Sequence, residues 1–251
     1  MPGINFWAIA GIVLGLLAVL LLLSGVRIIP NNRIGVIEKR WSGKGSIKTG
    51  LIALQGEAGY QPSVLRGGIH YLVPVQYAVH IAPLVTIPQG KIGYLFARDG
   101  LQLEPTQVLA SNLTADDFQV VVAFLRDGGQ RGPQRRILRE GTYAINLMQF
   151  VVITEGRVYS LPLSREEEII IHGMADVIAQ RHGFEPVVIK DTDDMVGVVT
   201  VHDGPSLPEG EIIAPVRGDD PAILETYHNK FQDADCFLLS GGMRGRQLQV
   251  L

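Results

Sequence analysis

The chain has 251 residues, of which 22 are basic and 25 acidic, giving a net charge of −3. This balance offers no electrostatic case for a nucleic-acid partner. A single cysteine, Cys236, excludes an internal disulfide and is typical of a reducing compartment. Every charged side chain follows position 26, which leaves about 225 residues for one large domain or two small ones.

The first predicted element is a membrane-spanning helix over residues 4–26, where only Asn5 and Ser24 are polar. At about 1.5 Å per residue this helix would measure about 35 Å, enough for a hydrocarbon core of about 30 Å. A buried helix of a soluble domain rarely stays uncharged for so long, and a cleaved signal peptide needs a basic start and a shorter apolar core. We therefore expect an uncleaved anchor that includes Ile4, Phe6, Trp7, Leu14, Leu20 and Val26.

Basic side chains follow the predicted anchor, at Arg27, Arg33, Lys39 and Arg40, against one acid, Glu38. Before the helix there is only the terminal amine, so the positive-inside rule predicts a single-pass protein whose body lies in the cytoplasm. The same juxtamembrane basic residues are compatible with contact to anionic headgroups and with an ordinary solvated surface. The sequence leaves these two interpretations open.

Internal similarity is the most informative feature of the body, and it indicates a modular architecture. Residues 118–138 and 231–251 align without a gap and are identical at ten of 21 positions. They share the pattern F-Q-x4-F-L-x2-G-G-x-R-G-x-Q-x3-L, and residues 59–65 retain its G-x-Q-x3-L part. The glycine-rich corners of three copies are expected at Gly59 and Gln61, Gly132 and Gln134, and Gly245 and Gln247.

Each copy is preceded by an apolar, strand-like segment with a glycine near its start, at residues 33–40, 91–100 and 195–204. Helices are predicted in the inserts of the second and third copies, ending at the Gly-Gly pairs 128–129 and 241–242, where a left-handed C-cap is usual. We therefore predict an α+β fold with an anchor (1–26) and three β-rich modules. The first covers 27–90, the second, with helices, 91–194, and an incomplete third 195–251.

Further elements are predicted between the repeats. Strands are expected over residues 79–87 and 150–158. Ser164, followed by three glutamates at 166–168, predicts the N-terminus of a helix running to about residue 181. Asp220-Pro221 predicts another helix start, ending near residue 231. The apolar face of the 164–181 helix is expected to bury Ile169, Ile170, Met174, Val177 and Ile178.

The third module is predicted to be incomplete. The first two copies continue past Leu65 and Leu138 into return strands over residues 69–73 and 142–146, whereas the third copy ends at Leu251. Either the natural protein is longer or a neighbouring chain completes the module. We expect the longer protein.

Catalytic motifs are not found in the sequence. The six histidines form neither H-E-x-x-H nor an i, i+4 pair, and Cys236 has no neighbouring cysteine for a zinc site. Cys236 aligns with Ala123 of the second copy, which favours a small core residue over a nucleophile. No cofactor or metal is expected, and the chain is not predicted to be an enzyme.

Three phrases together resemble the SPFH (band 7; stomatin/prohibitin/flotillin) superfamily, most of all its bacterial flotillin-like members. They are R-I-I-P-N-N-R-I-G-V-I-E-K from residue 27, G-G-I-H-Y-L-V-P-V-Q from residue 67 and G-x-Q-x3-L-x2-G-T-Y-x-I-N from residue 132. The resemblance implies a membrane-anchored scaffold that forms homo-oligomers, organises membrane microdomains and gathers other membrane proteins or proteases without catalysis. The long Ala/Glu-rich assembly helix that follows the domain in such proteins is absent here.

Three hypotheses follow. The leading one is a non-catalytic, flotillin-like membrane scaffold with the lipid bilayer, copies of itself and other membrane proteins as partners. The second is an adaptor or regulatory subunit of one membrane-bound enzyme, such as a protease. A membrane-tethered hydrolase is the third, and it would need a cluster of titratable groups that the sequence does not offer.

Overall fold

The computed structural model describes residues 6–105, 107–111, 118–189 and 196–251, which form an α+β fold with several small, mainly antiparallel sheets. The helices are α1 (Phe6–Leu23), α2 (Val121–Arg126), α3 (Arg165–Gln180) and α4 (Ala234–Leu239). The strands are β1 (Val26–Ile29), β2 (Arg33–Lys39), β3 (Gly59–Leu65), β4 (Gly68–Tyr71), β5 (Tyr77–Pro83), β6 (Val85–Ile87), β7 (Tyr94–Ala97), β8 (Gly132–Pro133), β9 (Gly141–Tyr143), β10 (Phe150–Ile153), β11 (Val158–Tyr159), β12 (Val198–Val201), β13 (Ile213–Ala214) and β14 (Gly245–Val250).

Helix α1 is built from uncharged residues, most of them the strong helix formers leucine and alanine. It ends earlier than predicted, because Gly25 packs so closely that a Cβ there would lie 2.5 Å from the carbonyl oxygen of Leu72. Val26 therefore begins β1, which pairs with β4, and its assignment to the helix was wrong. In the described part of the chain, no helix reaches the length and apolarity that crossing a membrane requires. Ile4 lies outside the described residues.

The three predicted opening segments form β2, β7 and β12, although Met195 at the start of the last one lies outside the described residues. β2 lies between β3 and β5, and β7 lies between β8 and β10, with β11 beside β10. β12 pairs with β14, which also pairs in parallel with β13. The first two of these sheets share one hydrophobic core, with Val36, Leu95 and Phe150 fully buried in it.

The helix predicted after Ser164 is present as α3. The Ser164 hydroxyl accepts a hydrogen bond from the Glu167 amide, and the Glu167 carboxylate accepts one from the Ser164 amide, forming a capping box. The predicted buried face is wrong in part. The packed stripe is Ile171, Met174, Ala175 and Ile178, whereas Ile169, Ile170 and Val177 are 67%, 51% and 47% exposed.

Other predicted boundaries also change. The strand expected over 79–87 is two strands, β5 and β6, separated at Leu84, which lets β6 leave β2 and pair with β9. The strand expected over 150–158 is likewise divided into β10 and β11, an antiparallel pair. The helix expected from Asp220 does not form, and residues 220–231 make successive turns instead. Left-handed backbone at Asn229, Lys230 and Phe231 is incompatible with a continuing helix.

Candidate binding groove

The three repeat corners make the same hydrogen bonds. The Nε2 of Gln61 donates to the carbonyl oxygens of Glu57 and Gly59, four and two residues earlier, at 3.3 and 3.0 Å. Gln134 Nε2 makes the corresponding bonds at 2.8 and 2.9 Å. Gln247 Nε2 makes them at 2.9 Å each. The glutamine of the G-x-Q pattern therefore closes the corner by satisfying its backbone carbonyls.

The glycine of each corner is required by the backbone. Gly132 has a φ of +113°, and Gly59 and Gly245 have φ values of +140° and +123°, where residues with a Cβ are strained. A Cβ would also lie 3.1 to 3.2 Å from an apolar side chain of the same module at each corner, namely Ile47, Leu103 and Leu207. The repeat thus preserves both a conformation and a packing contact.

Successive modules are joined by an aspartate that follows the opening strand of the second and of the third module. Asp99, after β7, accepts hydrogen bonds through Oδ2 from the amides of Leu51 (2.6 Å) and Ile52 (3.2 Å) in the first module. Asp203, after β12, accepts a bond through Oδ1 from the amide of Val108 in the second module at 3.4 Å. Val108 and Leu51 hold equivalent positions, each two residues before an alanine whose amide bonds to the corner strand, at Pro133 and Tyr60 respectively. The second and third modules are therefore joined at the same place as the first and second, by a single and longer bond.

An apolar groove of about 920 Å³ separates α3 from the third module. Its walls come from α3, from β12 and from the region around α4, with few polar atoms on its surface. The apolar lining includes Val108, Leu109, Ile169, Ile170, Met174, Val177, Ile178, Val199, Val201, Phe231, Phe237 and Leu238. Ile169, Ile170 and Val177, which the sequence places in a core, therefore face this groove.

The groove exposes residues whose counterparts in the second module are buried. Phe118 and Val121 are 2% and 1% exposed, and they pack in the core beside α2. In the third module Phe231 takes the place of Phe118 and is half-buried, and Ala234 takes the place of Val121 and is exposed. Within the described residues, the third module thus repeats these core positions of the second module but buries them less.

The strands show the same difference. Leu95 and Ala97 of β7 are fully buried, because β10 lies beside them and Phe150 covers them. Their counterparts in β12, Val199 and Val201, are half-buried and line the groove. The groove therefore lies beside β12 at the position that corresponds to β10 beside β7 in the second module.

The α3 wall is held in place by an ion pair. Arg98 donates through Nε and Nη2 to the two carboxylate oxygens of Glu167, at 2.8 and 3.0 Å, and Arg98 is almost completely buried. These bonds, with those of Ser164, lower the pKa of Glu167 to about 2 despite the opposing effect of burial. The pair fixes the first turn of α3 against the end of β7.

Charged and polar side chains also line the groove. Arg135 binds the carboxylates of Asp203 (2.6 Å) and Asp235, linking the second module to the end of β12 and to α4 in the third. Arg181 and His202 are further lining residues. In the described residues no group of three or more acidic, histidine or cysteine side chains could hold a metal ion. The arrangement is suited to binding a mainly apolar segment.

The other predicted site residues lie away from the groove. Trp7, Leu14 and Leu20 are exposed on α1. Arg27, Arg33 and Arg40 are exposed beyond it, whereas the Lys39 ammonium donates to the Gly56 carbonyl oxygen at 2.7 Å, inside the first module. The described backbone of Phe6 belongs to α1. The sequence reasoning missed the groove, and its available signal was the second apolar stripe on α3.

Comparison with known proteins identifies no relative. No protein-family model, no curated protein and no solved structure matches this chain.

Proposed function

We propose that this chain is a non-catalytic, membrane-anchored scaffold of the SPFH type, which recruits other membrane proteins through its body. The observation that carries the proposal is the character of α1. Its 18 residues are all apolar or glycine, and from Gly11 to Leu23 every side is exposed to solvent. A helix that is apolar on every side requires an apolar environment.

The anchor in this proposal is longer than α1 alone. Eighteen residues span about 27 Å, slightly less than a hydrocarbon core of about 30 Å. The uncharged sequence extends beyond the helix on both sides, from Met1 to Val26. The exposed Arg27, Arg33 and Arg40 then follow, which supports a cytoplasmic body.

The body supports recruitment rather than a reaction. Its modules are joined by the aspartate contacts, and its groove of about 920 Å³ is lined mainly by apolar side chains. Self-assembly of copies through the modules belongs to the same proposal and follows from the SPFH resemblance. It predicts high-mass crosslinked complexes in membranes.

Membrane extraction tests the anchor. The wild-type chain is expected to stay in the membrane pellet at alkaline pH, and a Leu14→Lys, Leu20→Lys double variant to be released, because each central charge costs about 2.5–3.5 kcal/mol. Ile212→Lys, at an 83% exposed position of the body, is the matched control and should stay in the pellet. Release of the wild type would refute the anchor.

The groove favours a second candidate, an adaptor for one membrane-bound enzyme such as a protease, because a shaped cleft selects among partners. Partner stoichiometry separates the two functions. Co-purification of one defined partner at a fixed ratio supports the adaptor, whereas many substoichiometric partners support the scaffold.

A further inference from the structure

The first two modules are each completed by a strand in the same position. β5 begins at Tyr77, 12 residues after Leu65, and β10 begins at Phe150, 12 residues after Leu138. Tyr77 lies opposite the last residue of β2, and Phe150 lies opposite the last residue of β7. The completing strand is therefore part of the repeated unit, in a defined antiparallel register.

The third module has an open edge at this position. β12 pairs with β14 on one side, and no strand in the described part of the chain lies along its other side. Gly197 exchanges backbone hydrogen bonds with Leu251 and so faces β14. Because the direction of backbone groups alternates along a strand, the amides and carbonyls of Val198 and Thr200 point to the open edge.

The completing strands share a short sequence signature. Each has a glutamine, an aromatic residue, alanine or valine, and then valine, at residues 76–79 and 149–152. The carbonyl oxygen of Gln76 accepts a bond from the Arg40 amide at 2.8 Å, and that of Gln149 accepts one from the Arg98 amide at 2.8 Å. In the third module, His202 is aligned with Arg40 and Arg98, and it lines the groove.

The aromatic residue of the signature packs against two phenylalanines that are repeated in the third module. Phe150 contacts the rings of Phe118 and Phe124, with ring centres 5.3 and 4.9 Å away, and those two rings lie 6.1 Å from each other. The aligned Phe231 and Phe237 both line the groove. His228 packs against both rings, 4.5 Å from Phe231 and 5.5 Å from Phe237, but it is fully buried and is not among the residues that line the groove.

We propose that the open edge of β12 and the adjoining groove bind an extended segment of a partner protein with the pattern Gln–aromatic–Ala/Val–Val. The segment adds to β12 as an antiparallel strand, with its aromatic ring against the contacting pair Phe231 and Phe237. The inference rests on the recruiting part of the proposed function and is independent of the membrane anchor.

Other occupants fit less well. An acyl chain fills apolar space but leaves the backbone groups of Val198 and Thr200 unpaired. A second copy offers this pattern only at residues 76–79 and 149–152, and both segments already belong to sheets of their own chain. Phe150 is fully buried, so releasing it would disrupt the second module.

A peptide-binding experiment tests the proposal on the full-length chain in lipid nanodiscs. The probe is a synthetic peptide with the sequence of residues 149–155, and the matched control peptide has aspartate in place of its phenylalanine. Saturable binding of the probe is expected, with affinity at least about tenfold higher than that of the control peptide. Bound probe should also slow hydrogen exchange at the amides of Val198 and Thr200.

Two protein variants locate the binding. Val201→Lys places a charge in the groove and is expected to weaken binding at least about tenfold. Ile212→Lys, exposed and outside the groove, is expected to leave binding unchanged. Because Val201 is only half-buried, its variant should fold, and unchanged exchange in the second module checks this.

Several outcomes overturn the proposal. Absence of probe binding is one, and binding without protection of β12 is another. Protection only when the same segment is fused after Leu251 would place the strand in the same polypeptide. Self-association that Val201→Lys abolishes would make a second copy the occupant. In each case the chain can still remain in the membrane pellet, so failure of this inference is distinguishable from failure of the anchor.

Discussion

Replacing Gln134 with leucine tests whether the corner glutamine stabilises its module. The side chain is 5% exposed and donates two hydrogen bonds to backbone carbonyls. Each such bond contributes about 0.5–1.5 kcal/mol net, and leucine preserves most of the volume. The second module is therefore expected to lose about 1–3 kcal/mol.

Hydrogen exchange measured by segment is the suitable assay, because the modules need not unfold together. The paired amides of Gly93 and Leu138 report on the second module. A loss of about 1–3 kcal/mol corresponds to exchange about 5- to 150-fold faster. Gln102→Leu, at an exposed position, is the matched control and should change the rate less than about twofold.

The three copies sharpen this prediction. Gln247 is as buried as Gln134 and makes the same pair of bonds, so Gln247→Leu should destabilise the third module equally. Gln61 is less buried and one of its bonds is longer, so its replacement should have a smaller effect. Equal exchange rates in Gln134→Leu, Gln102→Leu and the wild type would refute the role assigned to the corner.

Three further predictions concern the contacts that shape the groove and its modules. Because the pKa of Glu167 is lowered from its ordinary value of 4.5 to about 2, its pairing with Arg98 stabilises α3 above pH 4.5 and is lost as pH falls toward 2. Arg98→Met should weaken this pH dependence in circular dichroism of acid unfolding, with the part due to the Ser164 hydrogen bonds remaining. Gly242→Ala would place a Cβ 2.3 Å from the ring beneath it and should cost about 1–3 kcal/mol in urea unfolding, unlike Gly156→Ala in open space. Asp99→Ala removes two bonds to first-module amides and should cost about 2–4 kcal/mol, with those amides losing exchange protection.

The repeated corners illustrate what can be read from sequence without a structure. A glycine followed two residues later by glutamine recurs because a left-handed backbone and its carbonyls need those side chains locally. The capping box at Ser164 is local in the same sense, since its donor and acceptor are three residues apart. Signals of this kind predicted the corners and the start of α3.

The sequence predictions were wrong where contacts between residues far apart in the chain determine the local structure. The anchor helix ends before Val26 because Gly25 packs on Leu72, which is far along the chain. The turns in residues 220–231 override the helix start at Asp220, and the buried His228 accepts a bond from the Phe231 amide through Nδ1 there. A local pattern carries no information about such partners.

The sequence alone determined the apolar segment, the three-fold repeat and the residues of each corner, because these depend on composition and on neighbours within a few residues. Only the tertiary structure decided which stripe of α3 is packed, since residues 169–181 are apolar on more than one side. It also decided that Phe118 is buried in the second module, whereas its counterpart Phe231 is only half-buried in the third. That difference depends on whether a strand lies beside the opening strand, and strand pairing joins residues far apart in the chain.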